Sequence, residues 1–583
     1  MGMKKPKVKS AKSGTLPEIF TEWFARQGWE PRPHQLQMVE AFQQRQSTLL
    51  IAPTGGGKTL SGFLPSLVDL QQHPGEGLHT LYVSPLKALT NDIERNLMRP
   101  VLEMGLPIRV ESRTGDTPAA KRQRQRRNPP HILLTTPESL MLMLSYPDAP
   151  EIFKTLQCVI LDEIHSFAHN KRGDFSALAL ARLKMHAPNF IRFGLSATVA
   201  KPAELAAWLG PTGQPVEVLE VRDATLPDIR ILETENRLPY GGFMAKYAVE
   251  AMYQEICKAR TSIVFVNTRA QAELMFQFLW DANSKNLPIA IYHGSLERES
   301  RRKTERLMAE NKLRAVVATS ALELGIDWGD VDLVIQVGAP KGVSRLLQRI
   351  GRSNHRMNEP SKALLVPANR FEVLECRAAM QSIAQHRLDG EPLLGGSLDV
   401  IVQYIVNCAC SASVTADVLY EQVTDAFPYQ SVPRLVFDKL FRFAIDGGYV
   451  LQHYDRYARL KPNEEGGYSI ASAMAARRHR ENIGTIVEAA RIKVRRVNKK
   501  GGGRTIGEVE ESFVQQLTPG DTFFFAGEVL EYIGIRDMAM EARPSAKTEP
   551  KIPSYAGGEM PLSTFLAEGV RSVLHKPELW PSL

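Results

Sequence analysis

From Ser47 to Thr198 short apolar runs alternate with longer stretches whose apolar residues recur at helical spacing; the runs are Leu49–Pro53, Thr80–Pro85, Ile132–Pro137, Cys158–Asp162 and Ile191–Ser196. A short run without polar alternation is a strand buried on both faces, and strands that alternate with helices predict a parallel sheet covered on either side. The same grammar restarts at Ser262–Val266 and continues through Ile289–Tyr292, Ala315–Thr319, Leu333–Val337 and Ala363–Val366. Between the two sets lies Gly210–Gly242, whose several Pro and Gly read as a connection. Two similar α/β domains in tandem are predicted.

After about Gly390 the period changes. Leu398–Cys408, Thr415–Phe427 and Val432–Gly447 have the spacing of amphipathic helices, and Tyr449–Leu460 then has that of a strand, an order that suits a winged helix. The remainder mixes a basic helical stretch with β-prone runs such as Thr522–Phe525 and reads as mixed α/β. The predicted division is a basic tail (1–14), a first α/β domain (15–210), a connection (211–243), a second α/β domain (244–390), a winged helix (391–462) and a further module (463–583). At 583 residues several folding units are required, because a single core stops growing well below this length.

Composition narrows the class. No apolar run approaches the ~20 residues that span a bilayer, so a membrane role is not expected. Met1-Gly2-Met3 is followed by Lys4, Lys5, Lys7, Lys9 and Lys12, a disordered basic tail with no apolar secretory segment. The five cysteines form no CxxC pair and have no histidines at zinc-ligand spacing, which points to a reducing compartment, the cytoplasm, and to core packing. A net charge of +8 favours polyanionic partners, since Lys and Arg that neutralise phosphates release counterions. The charge is concentrated at Lys121, Arg122, Arg124, Arg126 and Arg127, which also reads as a solvated helix face, and between Arg477 and Arg504.

Chemistry is carried by a few segments. Ala52-Pro53-Thr54-Gly55-Gly56-Gly57-Lys58-Thr59 falls between a predicted strand and a predicted helix, where backbone N–H groups and the helix N-terminus can face phosphates. Lys58 adds a point charge, and the Thr59 hydroxyl suits Mg²⁺. The strand Cys158–Leu161 runs into Asp162-Glu163-Ile164-His165, where Asp162 can hold the metal and Glu163 can orient or deprotonate a water. Near the end of the second domain, Gln348-Arg349-Ile350-Gly351-Arg352 offers arginines that can reach across a cleft to a γ-phosphate.

Together with Ser196-Ala197-Thr198 and the segment from Thr319 to Asp327, these occur in the order of superfamily 2 helicase motifs. The chain resembles the Lhr (large helicase-related) proteins and, within them, the ligase-associated DExH helicases of bacterial DNA repair, from about Leu16 to its last residues. The resemblance implies RecA-like motor domains that use ATP and Mg²⁺ to move 3′→5′ on single-stranded or tailed duplex DNA. An RNA–DNA hybrid is left open, and a link to a DNA ligase and a nuclease rests on the resemblance alone.

By that resemblance Gln35 reads adenine, and Thr54, Gly55, Gly56, Gly57, Lys58 and Thr59 hold the phosphates. Thr59 and Asp162 take Mg²⁺, Glu163 is the base, and His165, Ser196 and Thr198 couple hydrolysis to movement. Gly325 and Asp327 lie at the nucleotide edge of the second domain, and Gln348, Arg349 and Arg352 complete the site, with Arg352 as the principal finger. Family members often have a further basic residue where this chain has His355, whose neutral imidazole lacks arginine's permanent charge. The implied strand track comprises Pro85, Lys87, Arg113, Thr114, Gly115, Thr135 and Thr136 in the first domain. In the second it comprises Thr268, Arg269, His293, Gly294 and Thr319. Hydroxyls, loop N–H groups and cations there suit phosphate contact without base readout.

Tyr555 stands where Lhr proteins commonly carry a tryptophan that stacks on a base. Family members run beyond the segment resembling Tyr555–Thr564, whereas this chain stops at Leu583, so an incomplete fourth domain is expected. Three readings stay open on the sequence: a DNA helicase, a nucleic-acid-stimulated ATPase or clamp that does not unwind, and an RNA helicase.

Overall fold

The computed structural model describes residues 16–576 except 54–55, 86, 222–225, 243, 324–330, 354–359, 391–392, 394, 449–457, 465, 485–490, 499–502, 548–549 and 554–561. Two parallel sheets dominate it. In the first, β1 (Thr48–Ile51), β2 (Thr80–Val83), β3 (Val110–Arg113), β4 (Ile132–Thr135), β5 (Cys158–Leu161), β6 (Ile191–Ser196) and β7 (Glu217–Glu220) lie in the order β3-β4-β2-β5-β6-β1-β7. β1, β2, β4, β5 and β6 are buried at every position, as their apolar runs require when helices cover both faces. The order places β5, β6 and β1 side by side, so the loops after Leu161, Ser196 and Ile51 meet at one edge of the sheet. Crevices at the carboxyl ends of parallel strands are where such sheets bind ligands.

The second sheet has β8 (Asp228–Ile231), β9 (Ser262–Phe265), β10 (Ile289–Tyr292), β11 (Ala315–Ala318), β12 (Leu333–Val337) and β13 (Lys362–Val366) in the order β10-β11-β9-β12-β13-β8. The segment 211–243, expected as a connection, supplies an edge strand to each sheet: β7 pairs with β1, and β8 with β13. Neither is an apolar run. Glu217 and Glu220 bound β7, and Asp228 and Arg230 interrupt β8, because a half-exposed edge has less apolar surface to bury.

Helices Leu398–Ala409, Ala416–Asp425 and Arg434–Asp446 follow, then a short hairpin of β14 (Leu460–Pro462) and β15 (Tyr468–Ile470). Most of the strand expected from Tyr449 lies outside the described residues. This winged-helix unit shares one core with the first domain, Ile401, Tyr404 and Ile405 packing among Phe175, Leu178 and Met141. Ion pairs Lys171–Asp399 (3.0 Å) and Lys184–Asp425 (3.1 Å) flank that seam, and Arg480 donates to Ser145 O at 2.7 Å.

The remaining module is a five-stranded sheet of β16 (Arg491–Val497), β17 (Gly503–Glu510), β18 (Thr522–Phe525), β19 (Glu528–Arg536) and β20 (Ala539–Pro544), ordered β17-β16-β20-β19-β18. It docks on the second domain, as does the helix Thr564–Leu574, whose Leu566 and Val573 enter the core around Cys376 and Ala379. No helix among the described residues is long and apolar enough to cross a membrane.

The docking is close. Glu508 N–H donates to Ser295 O at 2.9 Å, Glu297 N–H donates to Ile506 O at 3.0 Å, and a Cβ on Gly507 would stand 2.3 Å from Ser295 O. Gly507→Val is therefore expected to lift the sheet from the second domain. Hydrogen–deuterium exchange should accelerate at 295–297 and 506–508 while β1 stays protected, and unchanged protection at both segments would refute the contact.

Candidate active site and strand track

The helix Lys58–Gln72 begins at Gly57, whose φ of 77° lies in the left-handed region that glycine occupies without strain. That turn points the first helical N–H groups outward, beside the Lys58 ammonium. Two neighbours from the preceding helix fix the loop. His34, made less basic by burial, donates from Nε2 to Gly56 O at 2.9 Å. Gln35 accepts the Arg32 N–H at 2.8 Å, and its Nε2 would meet a Cβ on Gly57 at 3.1 Å. Thr59 lies in the first turn of the same helix; Thr54 and Gly55 lie outside the described residues.

At the end of β5, Asp162 and Glu163 are 4% and 6% exposed. Asp162 accepts hydrogen bonds from Tyr82 Oη at 2.5 Å and from the Glu163 N–H at 2.8 Å, yet burial and the neighbouring Glu163 charge raise its pKa. Burial likewise pushes the Tyr82 phenol well above its usual range, so it stays a donor. Glu163 has a φ of 50°, a left-handed turn that aims its carboxylate at Lys58 Nζ, 3.8 Å away. Burial raises the Glu163 pKa, but Lys58 first, then His165 and Arg352, outweigh it and hold the carboxyl below its ordinary value. Arg352 belongs to the second domain and is 4% exposed. Its charge therefore acts on Glu163 from across the interdomain cleft.

His165 continues the chain of contacts. Burial pulls its pKa down to about 4, so the ring is neutral at pH 7. The Ala197 N–H donates to His165 Nδ1 at 3.3 Å, which leaves the proton on Nε2, 3.3 Å from Glu163 Oε2. Ser196 Oγ lies 3.1 Å from the same Nδ1. The acid at β5 is thus joined to the turn after β6 through one imidazole. His165 and Thr198 also line an interdomain cavity of about 690 Å³, with Arg269, Gly294, Thr319 and Gln348 on its opposite wall.

Several predicted residues are placed elsewhere. Arg349 does not face the nucleotide cleft: it is wholly buried in the second domain, donating to Glu323 Oε1 at 2.7 Å, Gln336 Oε1 at 2.6 Å and Asn267 Oδ1 at 3.1 Å. It is a structural cation, not a catalytic one. His293 is wholly buried beneath the C-terminal sheet and cannot touch a strand there; its Nε2 donates to Glu273 Oε1 at 3.0 Å. Arg113 is buried, its guanidinium donating to Arg122 O at 3.1 Å, and the buried Thr135 hydroxyl donates to Arg113 O at 2.8 Å.

Thr114, Thr136 and Thr268 are engaged locally. The Thr114 hydroxyl accepts the Asp116 N–H, the Thr136 hydroxyl donates to Ser139 Oγ, and the Thr268 hydroxyl caps the helix Arg269–Asp281. Pro85 is buried, and Gly115 leaves room for Lys87, since a Cβ there would stand 3.2 Å from Lys87 Nζ. Lys87 remains half exposed and pairs at 3.4 Å with Asp116, whose other oxygen holds Arg298 of the second domain at 2.9 Å. Gly325, Asp327, His355 and Tyr555 lie outside the described residues.

His34, Tyr82, Glu323 and Arg298 were not singled out by sequence. His34 stands beside Gln35 in a segment already marked, which is a usable signal. Tyr82 occupies an ordinary strand position, and no local pattern shows that its hydroxyl reaches a residue 80 positions away.

The two arginines make a clean contrast. Arg349→Ala leaves Glu323 without its buried cation and should cost about 3–5 kcal/mol of second-domain stability, visible as an earlier thermal transition. Arg352→Ala should leave that transition in place and slow ATP hydrolysis by roughly 10³, as loss of an arginine finger does. The reverse pattern would exchange the two roles.

Comparison with known proteins agrees with this architecture. Residues 32–206 match the DEAD/DEAH box helicase family, 247–357 the helicase conserved C-terminal domain, and 381–552 the winged helix domain of large helicase-related protein. The ATP-dependent helicase Lhr-Core protein 2 of Thermococcus barophilus is 36% identical over 95% of this chain and 67% of its own length. The ATP-dependent helicase Lhr-Core of Methanocaldococcus jannaschii is 33% identical over 95% of this chain and 66% of its own. This chain thus spans about two-thirds of the length of these curated relatives. The solved structure of Mycobacterium smegmatis helicase Lhr bound to ssDNA and AMP-PNP is 34% identical, with a TM-score of 0.72 over 82% of this chain and 63% of that one. Motor domains, winged helix and relatives agree, and the chain belongs to the Lhr family of ATP-dependent helicases.

Proposed function

We propose that this protein is a Mg²⁺-dependent ATPase, stimulated by single-stranded DNA, that moves 3′→5′ along the strand and displaces a paired one. The observation that carries this reading is the buried Glu163 carboxylate held 3.8 Å from Lys58 Nζ at the phosphate loop, with Arg352 buried on the opposite domain, an arrangement in which hydrolysis would require a closed cleft. A pure binding module needs neither a buried general base nor a cation aimed at it. The Mycobacterium smegmatis relative bound to ssDNA and AMP-PNP supports the choice of ligand.

In this reading Gln35 receives adenine, and the loop around Gly56 and Gly57 surrounds the phosphates. Lys58 turns from Glu163 to the β- and γ-phosphates. Asp162, with the Thr59 hydroxyl, suits a hard divalent cation: its carboxylate is buried and held in place by Tyr82, and a bound cation would offset the burial and the Glu163 charge that raise its pKa. Bound Mg²⁺ would neutralise charge on the phosphates. Glu163, released from Lys58, takes the proton of the attacking water, and Arg352 stabilises the transferring phosphoryl group. His165 passes the change at Glu163 to Ser196 and to the cavity where Thr198 faces Arg269, Gly294 and Thr319.

The link to DNA repair beside a ligase and a nuclease belongs to the same proposal and rests on family resemblance. Glu163→Gln should bind ATP and a single strand but lose turnover by a factor on the order of 10² to 10⁴. Lys58→Ala should instead weaken ATP binding itself. ATPase and strand-displacement assays with matched DNA and RNA strands test the substrate: stimulation and displacement by DNA are expected, stimulation without displacement would leave a clamp, and stimulation by RNA alone would make this an RNA helicase.

A further inference from the structure

The loop expected to hold the strand through His293 is occupied by the C-terminal sheet. Glu273 lies wholly buried between them, and an ionised carboxylate in that position is costly unless every lone pair finds a donor. Three donors reach it. Ala526 N–H donates to Oε1 at 2.8 Å, Gly527 N–H to Oε2 at 3.2 Å, and His293 Nε2 to Oε1 at 3.0 Å. The histidine donates from Nε2 because its Nδ1 accepts the Ser295 N–H at 3.3 Å.

Ala526 and Gly527 form the turn between β18 and β19, both left-handed, with φ of 56° and 79°. A turn of this kind presents successive N–H groups to one side, a concavity that holds anions. Here the anion is a side chain of the second motor domain. Three residues after His293, Leu296 forms an isolated β-bridge with Gly507 on β17, so the same loop is also hydrogen-bonded to the edge of the C-terminal sheet. Between these two attachments stands Gly294, which lines the interdomain cavity. The winged helix, by contrast, shares its core with the first domain.

We propose that Glu273 and His293 are positioning residues that make the C-terminal sheet move as one body with the cavity-lining loop of the second motor domain, so that cleft closure tightens that body and the winged helix, carried by the first domain, on a single strand. The proposal deepens the translocase reading and rests on it. Neither residue touches ATP. Loss of Glu273 should therefore spare the chemical step at saturating strand and impair the grip.

The test measures ATP hydrolysis against oligo(dT) concentration, with strand displacement in parallel, for wild type, Glu273→Ala, Glu273→Gln and Gly507→Val. In Glu273→Ala the maximal hydrolysis rate should stay within about twofold while the oligo(dT) concentration for half-maximal stimulation rises about tenfold or more, a coupling lost in binding and not in chemistry. Displacement per ATP should fall by at least the same factor. Glu273→Gln keeps the volume and one acceptor, so it should fall between wild type and Glu273→Ala. Gly507→Val attacks the other attachment and should reproduce the split without altering Glu273. A maximal rate that falls in step with displacement in these variants, or a half-maximal concentration that does not move, would overturn the proposal. Should wild type hydrolyse ATP with oligo(dT) yet displace nothing, the unwinding reading fails while the shift in half-maximal concentration still decides this one. If wild type does not respond to oligo(dT), accelerated hydrogen exchange at 526–527 and 295–297 in Glu273→Ala upholds the attachment but overturns its role in gripping a strand.

Discussion

Two adjacent carboxylates buried at the end of one strand impose the condition on which the rest of this protein depends. Desolvation and mutual repulsion both oppose ionisation of Asp162 and Glu163. Ionisation of Glu163 is favoured by Lys58 of the phosphate loop, by His165 and by Arg352 of the second domain, and of these Lys58 and Arg352 are permanent cations. One cation comes from each motor domain. If Glu163 is the base proposed above, it is electrostatically complete only when the domains meet, and a nucleotide that brings its own negative charge would compete for the same two cations. On that proposal, gating of hydrolysis by domain position would follow from the competition itself.

The accessory elements divide between the two motor domains. The winged helix is welded to the first by a common core and by ion pairs on the helix Lys171–His186. The C-terminal sheet and the helix Thr564–Leu574 belong with the second, through the backbone hydrogen bonds of Ser295 and Glu297, the Glu273 carboxylate and the packing of Leu566 and Val573. The two bodies are bridged by Lys87, Asp116 and Arg298. These partly exposed pairs contribute little stability each. Chemistry in the cleft thus has rigid parts to move and only weak contacts to break.

What the sequence disclosed was the part of the site fixed by short spans of chain. The phosphate loop and Asp162 and Glu163 stand at strand ends, where a run of apolar residues announces both the strand and the turn that follows, and Arg352 follows the short helix Val343–Ile350. Whether a polar side chain turns toward the cleft or the interior is not written in such runs. Arg349 and Arg352 lie three residues apart on one turn, yet one is sealed against Glu323 and the other acts on Glu163. His293 is recognisable by its place in the chain but is covered by a sheet whose approach depends on Gly507, more than two hundred residues away. β7 and β8 escaped notice for a similar reason: as edge strands they carry charged residues and are recognised only through their neighbours.

If the cleft is a shared electrostatic structure, ligands on its two sides must assist each other, because each is bound by parts of both domains. The direct measurement is the affinity for fluorescein-labelled oligo(dT) with and without a non-hydrolysable ATP analogue, in wild type and in Arg352→Ala. In wild type the analogue should tighten strand binding by about fivefold or more, and reciprocally the strand should tighten analogue binding by the same factor. That mutual effect should vanish in Arg352→Ala, in which the analogue can no longer draw the second domain closed. Equal reinforcement in both proteins, or none in wild type, would contradict an active site completed from both sides of the cleft.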